Sequence, residues 1–183
     1  MMSIERWAKS IKDFVVRAKI PNNYQPGTSN RCNRSNCEVD DILDESNTFT
    51  DADGGRVYGL RKGDLHCNSD HVVYKLRCRT CGLQYTIGST ITKFRKRINN
   101  YKSQFRNYSD KKRRGVKNPG EKISQASLME HFCAPDHHGM DDWSFQLIDW
   151  AENLPRLRER ESFWQYRLQS FIPQGLNERE VPT

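Results

Sequence analysis

Apolar positions along this chain follow two rhythms, one helical and one extended. Ile4, Trp7, Ala8, Ile11, Val15 and Ala18 fall at helical spacing with Pro21 soon after, predicting an amphipathic helix over residues 1–20 that packs on a neighbour. From Pro21 to Asn36 the chain is polar and turn-rich, and an acidic stretch around Asp40–Asp53 ends in the turn signal Asp53-Gly54-Gly55. Residues 21–55 therefore read as a linker, and residues 56–183 as the folded domain. Within that domain Arg56–Leu60 reads as a short strand, His71–Arg77 as a β-branched and aromatic strand, and Leu83–Ile87 as another ended by Gly88. Ser89 or Thr92 can cap a helix over Lys93–Tyr108, whose stripe is Phe94, Ile98, Tyr101, Phe105 and Tyr108. Ser124 can start a helix through His131, the alternation of Trp143, Phe145 and Leu147 predicts a strand, and Leu157–Leu168 a last helix closed by Pro173 and Gly175. The order implies an α+β fold: a small, three-stranded antiparallel sheet flanked by helices.

Charge adds a partner class. The 183 residues carry a net charge of +7, the isoelectric point is near 9.2 and the mean hydropathy is −0.91. The excess is concentrated from Lys93 to Lys117, where Lys93, Arg95, Lys96, Lys102 and Arg106 lie on the predicted helix. Such a stretch suits a polyanion, although charge runs are more often simply solvated. No apolar run approaches the roughly 20 residues of a membrane span. The N-terminus lacks the layout of a signal peptide, so a reducing compartment is expected, where the six cysteines favour metal ligation over disulfides.

Candidate chemistry lies where the stripes are interrupted. Arg97 stands three residues after Phe94 and four before Tyr101, and Glu161 lies between Leu157 and Trp164. A carboxylate on such a stripe needs a cation if it is buried, or else sits at the stripe's edge facing water. A guanidinium and a carboxylate brought to one sheet also suit phosphodiester cleavage, the first neutralising the phosphate and the second holding a divalent metal. Cys78 and Cys81 form a CxxC pair, which reads as half a zinc site, a redox pair or an inert pair. Cys32 and Cys37, with His66 and Cys67 in reach, suggest a second, less complete cluster.

Val72-Val73-Tyr74, Tyr85-Thr86-Ile87-Gly88, Arg97, Glu161 within ERESFW and Asn177 within GLN occur in an order that resembles the GIY-YIG endonuclease domain, from about Val57 to Glu180. The resemblance implies that Tyr74 and Tyr85 flank the scissile phosphate, with one of them orienting or deprotonating the attacking water. Arg97 would bind the phosphate, Glu161 hold Mg²⁺ or Mn²⁺, and Asn177 brace the site. The phrase CNSDHVVYKL, the CxxC and the HF…HH segment resemble more narrowly the endonuclease of Penelope-like retroelements, which carries a Cys-Cys-His-His zinc insertion. By that likeness the zinc ligands are Cys78, Cys81, His131 and His137, with His138 as the competitor. The N-terminal phrase IKDFVVRAKI is similar to the segment directly downstream of the reverse transcriptase in such elements.

The expectation is thus a nuclear, metal-dependent DNA endonuclease, part of or descended from such a retrotransposon, with a reverse transcriptase in cis or in trans as a further partner. The alternative is a catalytically inactive, zinc-stabilised DNA-binding module. Three positions depart from the family pattern: VVY stands for GIY, Tyr101 stands where histidine is frequent, and YTIG is one residue longer than YIG. A β-bulge would absorb Thr86; without one, position 86 takes the place of the tyrosine.

Overall fold

The computed structural model describes residues 27–32, 34–51, 55–60, 63–82, 85–123 and 125–178, with the side chain of Tyr85 left out. The expected helix over residues 1–20 and the possible cap Ser124 lie outside the described residues. The described fold is α+β, centred on a three-stranded antiparallel sheet in the order β6–β5–β7. Its strands are β5 (Val72–Cys78), β6 (Tyr85–Thr90) and β7 (Trp143–Trp150). Two short ladders lie ahead of it: β1 (Thr28–Ser29) pairs in parallel with β4 (Asp64–Leu65), and β2 (Thr48–Thr50) antiparallel with β3 (Val57–Gly59). The helices are α1 (Phe94–Arg113), α2 (Ala126–Phe132) and α3 (Leu154–Arg167).

The central strand is buried on both faces except at Arg77, so its apolar residues Val72, Val73, Tyr74, Leu76 and Cys78 are not confined to alternate positions. Val72, Tyr74, Leu76 and Cys78 join Phe145 and Leu147 of β7 under Phe94, Ile98 and Tyr101 of α1. On the other face Val73, Ile87 and Ile148 meet Leu157, Trp164 and Leu168 around α3. Each large apolar side chain so buried contributes roughly 1.5–3 kcal/mol before chain entropy is set against it. The β5–β7 ladder slips by one residue between Val73 and Tyr74, where Asp149 and then Leu147 are the partners. Ile148 is the extra residue, so it and Asp149 both serve the α3 side, as a bulge permits.

Several boundaries differ from the sequence reading. Gly88 does not end a strand but lies inside β6, opposite Tyr74. Helix α1 runs on to Arg113, with Lys111, Lys112 and Arg113 in its last turn, where cations suit the helix dipole. Neither Ser89 nor Thr92 caps it. Ser89 belongs to β6, and the first amides of α1 donate to loop carbonyls instead: Phe94 N to Ser69 O (2.9 Å) and Arg95 N to Cys67 O (2.8 Å). Helix α3 starts three residues before Leu157, with the Asn153 side chain accepting from Arg156 N and Pro155 in the first turn. The stretch expected as a linker is part of the body: Val39, Leu43 and Phe49 are buried, and Leu43 bridges to Phe145. Its contacts are made one residue at a time by very short elements, which leave no periodicity to read.

Candidate functional site

Tyr74 rises from the middle of β5 on the α1 face and is completely buried. Helix spacing brings Arg97 and Tyr101, four residues apart on α1, over it. Arg97 donates its Nε–H to the Tyr74 hydroxyl (2.8 Å), and its guanidinium carbon lies 4.6 Å from the centre of the Tyr101 ring. The two phenol oxygens are 3.0 Å apart, and a longer contact of 3.5 Å joins Arg97 to the Tyr101 hydroxyl. Burial pushes the Tyr74 phenol well above the ordinary tyrosine range; Tyr101 adds to that and Arg97 only partly opposes it. Burial opposes the Arg97 charge in turn, but the two phenol oxygens outweigh it and hold the guanidinium protonated. The result is a neutral phenol, a permanent cation and a second hydroxyl meeting above Gly88.

Glu161 reaches the sheet from the other side. Its Oε2 accepts a 2.7 Å hydrogen bond from Ser89 of β6, a residue that pairs with Val73 on the α3 face. The expected cation does not answer it: among the described residues Ser89 is its partner, and neighbouring Arg160 lies 3.7 Å from the buried Asp149. Glu161 is only half-buried, so water and one hydroxyl suffice for its charge. Asp149 is the carboxylate at the bottom of this face, and the Trp164 indole N–H also donates to it (2.9 Å).

Asn177 closes the outer edge of β6. Its Oδ1 accepts from Ile87 N (2.8 Å) and its Nδ2 donates to Ile87 O (2.9 Å), so one side chain satisfies both backbone groups as a neighbouring strand would. The two half-sites are therefore on opposite faces of the sheet, and consecutive residues join them: Gly88 lies under Tyr74, and Ser89 holds Glu161.

The β5–β6 register runs without interruption from Val72↔Thr90 to Arg77↔Tyr85, so no bulge absorbs Thr86. Thr86 pairs with Leu76, which places position 86 on the Tyr74 face. Its hydroxyl is buried without a hydrogen-bond partner. The side chain of Tyr85 lies outside the described residues.

Beyond the end of β5 the expected zinc ligands come together. One donor atom from each of Cys78, Cys81, His131 and His137 lies within 4.8 Å of the others. The Cys81 sulfur is 3.7 Å from His131 Nε2, close to the roughly 3.6 Å edge of a tetrahedron with Zn–S near 2.3 Å and Zn–N near 2.0–2.1 Å. Backbone N–H groups of Cys81 and Thr80 point at the Cys78 sulfur, and burial raises that thiol. His137 Nδ1 is bonded to Asp136 (2.9 Å). Its buried Nε2 makes no hydrogen bond of normal geometry and is the atom left for a metal; the Cys81 sulfur first, and Asp136 next, raise its pKa. Burial pushes His131 towards the neutral, ligating form. His138 is not in the group: its ring is exposed and its Nδ1 lies 3.4 Å from Asp142. These residues fit a tetrahedral zinc ion.

Ser89, Asp136 and Asp142 were not apparent from the sequence as parts of these sites. Asp142 accepts from Thr80 (2.8 Å) and from His138 N (2.6 Å), tying the CxxC turn to the start of β7. Of the expected phosphate-binding cations, Lys93, Arg95, Lys96 and Arg106 are exposed, whereas Lys102 is held by Glu38 at 2.7 Å.

No family model, no curated protein and no solved structure matches the chain.

Proposed function

We propose that this chain is a metal-dependent DNA endonuclease of the GIY-YIG type, part of or descended from a Penelope-like retroelement, stabilised by zinc on Cys78, Cys81, His131 and His137. The observation that carries this reading is that consecutive residues of one edge strand, Gly88 and Ser89, adjoin the Tyr74–Arg97–Tyr101 group on one face and hold Glu161 on the other. Arg97 is the phosphate ligand, because it is charged at every physiological pH and its fork offers parallel N–H donors. Tyr74 keeps its proton and is completely buried, so its part is to hold Arg97 rather than to act as the base. Glu161 is the carboxylate for a divalent ion, a hard oxygen ligand steadied by the Ser89 hydroxyl. A bound ion there would supply Lewis-acid polarisation of the phosphate and a lowered pKa for water. Asn177 keeps β6 in place and with it the spacing between the two halves.

The measurement that decides is nicking of supercoiled plasmid in Mg²⁺ or Mn²⁺. Glu161→Ala and Arg97→Ala should each reduce the rate by about 10²-fold or more, as removal of a transition-state ligand does. Wild-type cutting that survives both substitutions sinks the assignment.

A second reading, DNA binding without cleavage, is favoured by the unbroken β5–β6 register and the complete burial of Tyr74. Undiminished DNA affinity with no nicking in either metal decides for it.

A further inference from the structure

We infer that Cys32, Cys37 and Cys67, with the carboxylate of Asp40, form a second structural zinc site. One donor atom from each of the four lies within 4.8 Å of the others. The Cys37 and Cys67 sulfurs are 3.7 Å apart, and the Cys32 sulfur is 3.5 Å from Asp40 Oδ2. A tetrahedral ion with Zn–S near 2.3 Å and Zn–O near 2.0–2.2 Å has edges of about 3.8 Å between sulfurs and about 3.6 Å between sulfur and oxygen. A disulfide needs sulfurs about 2.05 Å apart, and three thiols cannot all pair with one another.

The surrounding backbone is arranged for negative charge. The N–H of Arg34 points at the Cys32 sulfur and that of Val39 at the Cys37 sulfur, as in the turns that present thiolates to a metal. Asp40 Oδ1 accepts from Cys32 N (3.0 Å), which fixes the carboxylate with its other oxygen turned to the sulfur. His66, a ligand candidate by sequence, is not in the group: its Nδ1 accepts from Asn68 N (3.1 Å). Three thiolates and one carboxylate are a soft, strongly anionic set that selects zinc over magnesium or calcium.

The position gives the ion a task separate from the first zinc. Cys67 O takes the N–H of Arg95 at the start of α1, two residues before Arg97. An ion shared by Cys67 and the 32–40 segment clamps the N-terminal part of the domain to the start of α1. The Glu38–Lys102 bond crosses the same junction. The inference does not rest on nuclease activity, since its ligands are all different from those of the first zinc and from the proposed catalytic groups.

The test is metal analysis of the full chain purified with zinc, together with Co²⁺ alone as a spectroscopic probe. Wild type should hold about two zinc ions per chain, and Cys32→Ser/Cys37→Ser and Cys78→Ser/Cys81→Ser about one each. The Co²⁺ ligand-field bands lost in these two double variants should differ, because one site has three sulfurs and the other two. Should the first double variant not fold, Asp40→Asn serves in its place. It should weaken one of the two sites about tenfold or more in chelator competition and shift only that site's Co²⁺ bands. A zinc count unchanged by Cys32→Ser/Cys37→Ser, or Co²⁺ bands and chelator resistance that Asp40→Asn leaves untouched, would each overturn the proposal.

Discussion

An ideal Cβ on Gly88 would stand 2.6 Å from the Tyr74 hydroxyl oxygen and 2.8 Å from the ring carbon that bears it. Tyr74 has nowhere to retreat, since Phe94, Tyr101 and Phe145 all lie within ring-packing distance. Gly88→Ala should therefore cost about 1–3 kcal/mol, the usual range for forcing a methyl group into a packed site. It would be read as a lower urea midpoint at unchanged slope. A midpoint at or above wild type would mean that Tyr74 swings clear. At this scale the grouping of Cys78, Cys81, His131 and His137, and the approach of Arg97 to Tyr74, were legible because each residue type stands in a recognisable local phrase. Ser89 and Asp136 were not. A serine 72 positions from its carboxylate partner, like an aspartate beside a histidine on a loop, gains meaning only when the fold sets its neighbours.

Strand β6 is an edge strand, and its outward backbone groups need partners. Asn177 supplies both partners to Ile87 from a turn 90 residues away, and Gln165 adds a longer bond to the same carbonyl (3.3 Å). Asn177→Ala leaves the Ile87 N–H without its acceptor, so a loss of about 1–3 kcal/mol is expected. Amide hydrogen exchange at Ile87 should quicken more than exchange at Tyr74 or Leu76 on the central strand. Uniform quickening across the sheet would show instead that Asn177 supports the whole fold rather than this edge. The main elements could be read from sequence because their stripes are long: Phe94, Ile98, Tyr101 and Tyr108 are buried in α1 as the helical period requires. The position of Thr86 could be posed but not settled, because a bulge depends on the partner strand. The ladder does carry one, at Ile148 on the opposite side of β5.

Taken as a whole, the molecule sets a basic helix over the sheet face that carries Tyr74, with Glu161 on the opposite face. Arg95, Lys102 and Arg106 are spaced seven and four residues apart and share one flank of α1, with Lys93 and Lys96 near its start. Glu38 engages Lys102, the middle cation of that flank, whose side chain is only 17% exposed. Of the cations expected at phosphates, four are exposed, Lys93, Arg95, Lys96 and Arg106, and Arg97 makes a fifth. If these five each neutralise one phosphate, the logarithm of duplex affinity should fall against the logarithm of salt with a slope of about −4 to −5. Fluorescence anisotropy with two duplexes of unrelated sequence should give similar slopes, because contacts to the backbone carry little sequence information. Arg95→Ala or Lys96→Ala should make the slope shallower by about 1, while Lys102→Ala should change it much less, since that ammonium is already paired. A slope near zero in wild type would remove α1 as the DNA-binding surface. A Lys102 effect as large as that of Arg95 would mean that Glu38 releases its cation when DNA arrives, and the 32–40 segment would then move with binding rather than stay clamped to the helix.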